Sequence, residues 1–115
     1  MGRTAETVLR LSDFRRRGRP VYFNRGELNR LLGVYSRHVM SGEWRDYAID
    51  HGPGRAVFSV YRHTHERPLF AVVKVQSGGD GAPSWVVMSG RERLAQSTSL
   101  EEALRVFSPS LRLVR

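Results

Sequence analysis

The chain contains no cysteine. Disulfides, thiolate-ligated metal sites and a cysteine nucleophile are all excluded by that absence. Lysine is nearly as scarce: of nineteen basic side chains only Lys74 is a lysine, so arginine carries the charge. Acidic residues number eleven, which leaves a formal net charge of +8. No apolar run approaches the roughly 18 residues of a membrane span. Residues 1–19 lack the continuous apolar stretch of a secretory signal. The Met-Gly start fails as a myristoylation motif, because Glu6 stands where Ser or Thr is required. A cytoplasmic setting is expected.

The motifs of common chemistries are missing too. There is no G-x-S-x-G elbow, no phosphate-binding P-loop and no G-x-G-x-x-G following a strand. The Gly-rich stretch 77–83 has neither the lysine nor the helix start that a phosphate cradle needs, and reads as a hairpin connection. No cofactor and no catalytic residue is expected, and a non-enzymatic role is favoured.

What is present suits one small domain. Apolar residues make up 40% of 115, enough for one modest core. Residues 1–20 read as a flexible basic arm ending in Arg15-Arg16-Arg17-Gly18-Arg19-Pro20. Six arginines against two acids put half of the net charge there. Residues 21–115 then form the folded unit. Asn24 and Glu27 have the spacing of a capping box. Leu28, Leu31, Leu32, Tyr35 and Val39 follow at helical spacing, which predicts a helix over about 25–41 stopped by Gly42.

Beyond Gly42 the period changes to two. Strands are predicted over 44–50, 55–62, 69–76 and 84–88, with a further one over 91–96. The short connections favour an antiparallel meander of four to five strands. Ala56, Phe58 and Val60 would face the core, and so would Leu69, Ala71, Val73 and Val75. A short helix over about 100–107 follows, with Ser99 and Glu102 as a second capping box and Pro109 as its stop. The tail 111–115 is apolar enough to pack back. The fold class is α+β, with Trp44, Tyr47, Ile49, Phe58, Val60, Leu69, Val73 and Val75 expected in the core beside the helical residues Leu28, Leu31, Leu32, Tyr35, Leu104 and Phe107.

The run VYFNRGELNRLLGVYSRHVMSGEWRDYAIDHGPGRAVFSVYRHTHERPLF, with the closing LRVFSPSLRLV, resembles an alphaproteobacterial family of short proteins known as domain of unknown function 2794. The resemblance spans about 21–115, and WRDYAIDH is its most distinctive part. It implies a bacterial protein. It supplies no activity and no site residues. It also favours a codon-composition origin for the arginine excess.

Three candidate sites merit weighing. Asp46, Asp50 and His51 form one histidine–carboxylate group, and His63, His65 and Glu66 form another. A hairpin turning at 51–54 would hold them over 20 Å apart (about seven residues at ~3.3 Å). No metal site is expected, and the bland reading is a polar hairpin. Asp46 and Asp50 share a strand face but sit about 13 Å apart, too far for a carboxylate pair.

The second candidate is nucleic acid. The order helix, strands, helix is that of double-stranded-RNA-binding domains, which resemblance would equip with lysines at the second helix. Glu101 and Glu102 stand there instead. An alternative route is stacking on the sheet face opposite the core stripe, where Tyr61, Phe70 and Lys74 would be presented with Val57, Ser59 and Val72. That face could equally be covered by the second helix or the tail, or form a dimer contact.

The third candidate is the arm, where Arg15, Arg16, Arg17 and Arg19 can meet RNA or DNA phosphates without sequence preference. The expected function is a binding module contacting nucleic acid through that arm. The alternative is a protein-interaction or homodimerisation module using an apolar sheet face.

Overall fold

In the computed structural model, which describes residues 20–63, 67–76 and 81–108, the first regular element is helix α1, Arg25–Met40. The capping box forms in full: Glu27 N–H donates to Asn24 Oδ1 and Asn24 N–H donates to Glu27 Oε1, both at 2.8 Å. Gly42 ends the helix in the left-handed region at φ 82°, where a side chain would be strained. The buried side of α1 differs from the expected stripe. Leu31 and Val34 are buried, Leu28, Leu32 and Tyr35 are partly so, and Val39 is exposed. His38 joins the buried side, its ring stacked on Trp44 with centroids 4.1 Å apart and its Nδ1–H donating to the Val34 carbonyl at 2.9 Å. At 100° per residue this turns the inward face by roughly 60° from the stripe ending at Val39.

Five strands follow: β1 Asp46–Gly52, β2 Arg55–Tyr61, β3 Phe70–Val75, β4 Ser84–Ser89 and β5 Glu92–Ser97. They form one antiparallel sheet whose spatial order is the chain order. Gly90, at φ 60°, turns β4 into β5. A bulge between Val87 and Met88 then shifts the β5 register, so that Val87 pairs with Ala95 and Met88 with Arg93. Helix α2, Leu100–Ala103, runs into a 3₁₀ turn over Leu104–Phe107. Ser99 caps α2 by accepting from Glu102 N–H at 3.2 Å. The reciprocal half of the expected box is replaced, because Ser99 N–H donates to Ser97 Oγ at 3.0 Å.

Among the described residues the core lies on one side of the sheet. Phe58, Val60, Val72, Trp85 and Val87 point into it and meet Leu31 and Val34 from α1. Leu104 and Phe107 reach the same side: Phe107 meets Trp44 edge-on at 5.2 Å and Phe70 at 5.0 Å. The void these elements enclose is about 10 Å³, room for one water at most. The helix and sheet therefore form no ligand cup among the described residues.

Three residues of the expected core, Tyr47, Val73 and Val75, are displaced, and Ala71 turns outward with the last two. Tyr47 is on the core side, stacked on Phe58 at 5.3 Å and beside Tyr35 at 4.8 Å, but β1 is an outer strand and leaves it 39% exposed. Tyr35 O–H donates to the Arg45 carbonyl at 3.0 Å. Burial, then Asp46 and Tyr47, push its phenol above the ordinary value. Val73 and Val75 are the larger correction. The register places Phe58 opposite Val72 and Val57 opposite Val73, so the inward residues of β3 are Phe70, Val72 and Lys74.

Adjacent residues of β3 therefore respond differently to truncation. Val72→Ala, which empties a site 4% exposed, is expected to cost about 2 kcal/mol or more in urea unfolding, from two lost methyls plus the cavity. Val73→Ala should cost less than half as much. Equal losses would contradict the phase of β3.

Candidate functional site

The side of the sheet away from the helices is ordered by the strand register into rows. One row runs Ala48, Ser59, Ala71, Met88, Arg93, and the next Asp50, Val57, Val73, Val86, Gln96. Asp46 and Tyr61 are paired at one end, Arg55 and Val75 at the other. Because α1, α2 and the 3₁₀ turn all pack on the opposite side, no described helix lies over this face. Its centre is valine and methionine. Val57, Val73, Val86 and Met88 are half-buried by their neighbours, and Val75 is exposed. Ser59, small among larger side chains, is buried.

The margins of this face carry opposite charge. Strand β1 contributes Asp46 and Asp50, both exposed. Strand β5 contributes Arg93, whose Nη1 donates to Gln96 Oε1 at 2.8 Å and so lies along the sheet. Four strand spacings of ~4.8 Å separate the margins by about 19 Å. The chemistry available is that of association: apolar area in the middle, carboxylates on one side and a guanidinium on the other.

The residues expected to form a stacking surface are not brought together. Tyr61 belongs to the uncovered face, but Phe70 and Lys74 point into the core. Phe70 packs on Trp44 at 6.0 Å and on Phe107. The Lys74 ammonium donates to the Tyr22 carbonyl and to Glu27 Oε1, both at 2.8 Å, and lies 5.8 Å from the Trp85 ring centroid. A buried lysine that gives two of its three donors to a carboxylate and a carbonyl, with an aromatic ring beside it, is engaged within the fold and is not presented to a phosphate.

Arg15, Arg16, Arg17 and Arg19 lie outside the described residues, as do His65, Glu66, Pro109 and the tail 111–115. Pro20, assigned to the arm by the sequence, already bridges to Pro53, and Val21 N–H donates to the Gly52 carbonyl at 3.0 Å. The arm thus joins the domain at the β1–β2 turn. His51 at that turn packs on Tyr22 at 4.7 Å and Phe23 at 6.0 Å. His63 follows β2 at the other end of the hairpin. Among the described residues no three His, Asp or Glu side chains are close enough to hold a metal ion.

A groove of about 310 Å³ lies between the starts of α1 and α2. Arg30 on α1 pairs with Glu101 on α2 across it. Both groups are largely exposed, so the pair contributes little to stability. No buried polar side-chain atom among the described residues lacks a partner, so nothing in the groove points to a ligand.

A family model described as Protein of unknown function (DUF2794) matches residues 21–104, and the chain belongs to that family. No curated protein and no solved structure matches it. The matched span contains α1, all five strands and α2, and stops short of the arginine arm.

The placement of Lys74 has a direct test. Glu27→Gln should destabilise by about 3 kcal/mol in urea, since it leaves the buried Lys74 uncompensated, and Lys74→Met by less, since Glu27 keeps some solvent and the Asn24 N–H. The double variant should lose at least about 1 kcal/mol less than the sum of the two. Lys74→Arg should not restore stability, because a planar guanidinium cannot reproduce the ammonium's contacts. Additive losses would mean that the two groups do not act as a pair.

Proposed function

We propose that this chain is a binding module that works through the uncovered sheet face, taking a protein partner there. One observation supports the reading: both described helices pack on the same side, so among the described residues nothing lies over the apolar second face of the five-stranded sheet. An antiparallel sheet tolerates water on one side when that side is polar. Here the middle strands place the half-buried Val57, Val73, Val86 and Met88 and the exposed Val75 there instead, and apolar surface grouped in this way marks association sites. The core void holds no substrate-sized space, and the described surface has no cluster of groups arranged for acid–base work.

The arm supports a second reading, contact with RNA or DNA phosphates. Half of the chain's net charge is concentrated there, and Pro20, which follows the arginine cluster, bridges to Pro53 at the β1–β2 turn. With Phe70 and Lys74 committed to the core, this reading rests on Arg15, Arg16, Arg17 and Arg19 alone.

A photo-reactive phenylalanine derivative at Val73, compared with the same group at Arg37 on the exposed side of α1, tests the first reading in the source cells. Protein adducts should form at position 73 and not at 37; equal or absent labelling at 73 would remove the proposal. For the arm, full-length protein and a variant with all four arginines changed to serine are titrated into labelled RNA and duplex DNA at two salt concentrations. Four phosphates neutralised on duplex DNA predict a slope of log K against log salt of about −3.6, lost in the variant. Absent or salt-insensitive binding would end the nucleic-acid reading.

A further inference from the structure

We infer that the partner of the uncovered face is a second copy of this chain, stacked face to face about a two-fold axis parallel to the strands. The inference rests on the protein-interaction reading above and adds the occupant and its orientation. Two aligned sheets can be stacked with two-fold symmetry in two ways. An axis across the strands would lay β1 on β1, gathering Asp46 and Asp50 of both copies into one group of four carboxylates. It would also set Arg93 beside Arg93.

An axis along the strands through β3 lays β1 of each copy over β5 of the other. Each row then meets its own row reversed. The row Ala48, Ser59, Ala71, Met88, Arg93 places Arg93 over Ala48 of the second copy. There the guanidinium stands between the levels of Asp46 and Asp50. The contact occurs twice, once at each margin. In the next row Gln96 falls over Asp50, while Val57, Val73 and Val86 fall on Val86, Val73 and Val57 at the centre. Arg55 falls over Ser84, so the two Arg55 side chains stay two strands apart. Charge complementarity therefore selects this stacking over the other and suits a second copy without any further partner chemistry.

The size of the face sets the strength. Five strands at ~4.8 Å spacing and about six residues at ~3.3 Å give a footprint of roughly 400 Å² per copy. That is about half of the ~800 Å² per partner in a standard stable interface. The expected dimer is reversible, with a dissociation constant in the micromolar range.

Sedimentation equilibrium of the full chain from about 1 to 500 µM tests this, together with the mass of the adducts at position 73. The wild type should move from monomer to dimer across the range, and the adduct should have twice the chain mass. Arg93→Asp and Asp50→Arg should each raise the dissociation constant about tenfold or more. The double variant D50R/R93D should recover most of the loss, because the opposed charges are exchanged together. Both positions are exposed, so circular dichroism should remain that of the wild type. Val73→Arg, at the centre, should leave a monomer. A dimer indifferent to Arg93→Asp, or single losses without recovery in the double variant, would overturn the stacking. A monomer at every concentration whose adducts contain a different protein would overturn self-association and leave the interaction reading standing. A monomer with no adducts at all would remove both.

Discussion

The ammonium of Lys74 ties together three parts of the chain. It sits on β3, donates to the carbonyl of Tyr22 from the entry segment, and pairs with Glu27 in the first turn of α1. Glu27 at the same time closes the capping box on Asn24 N–H. The start of the helix, its rotation about its own axis and the inward phase of β3 are thus set by one charged group. Desolvating a lysine is costly, and the pairing offsets that cost only because both partners are also sheltered. The single lysine of an arginine-rich chain occupies the one described position where a compact cation with freely directed donors is needed. A guanidinium's fixed fork would not meet a carbonyl and a carboxylate there in the same way.

That interaction also explains which parts of the structure were legible in the sequence. Helix and strand limits follow from Asn24, Gly42, the turn at 51–54 and the alternation in 55–60, and they fall within about two residues of the expected ones. The face of β3 was not legible. Residues 69–75 are apolar at both parities, so alternation offers two phases, and a lysine at 74 argues for the wrong one. Its true placement depends on Glu27, distant in sequence, and no local pattern contains that partner. The helix stripe was misread for the same reason. Glu27 and His38 lie on the buried side, and a pattern that counts only apolar residues turns the helix toward Val39.

The candidate site was half visible. Val57, Ser59 and Tyr61 were assigned to the second face and belong there, because β2 has a clean alternation. The β3 residues expected beside them, Phe70, Val72 and Lys74, belong to the other parity. The resulting mixture of aromatics and a cation suggested stacking on bases, whereas the actual neighbours, Ala71, Val73 and Val75, are aliphatic. A shift of one residue exchanges every side chain between faces. Here it also exchanges one class of partner for another. The arginine arm was readable as charge and nothing more, since a run of like charges states what it can attract and not whether it does.

The order of the strands has a consequence for how the domain assembles. Each strand pairs with the one just made, and the outer hairpins close over two intervening residues, Pro53-Gly54 and Gly90-Arg91. Contacts of such short sequence separation forfeit little chain entropy when they form. The meander can therefore be completed by successive local steps. The attachment of α1 is of another kind, because Glu27 must find Lys74 across the whole of β1 and β2 and most of β3. The sheet supplies its own template, and the helix becomes fixed only when a charge it cannot neutralise alone has been built into the strand beneath it.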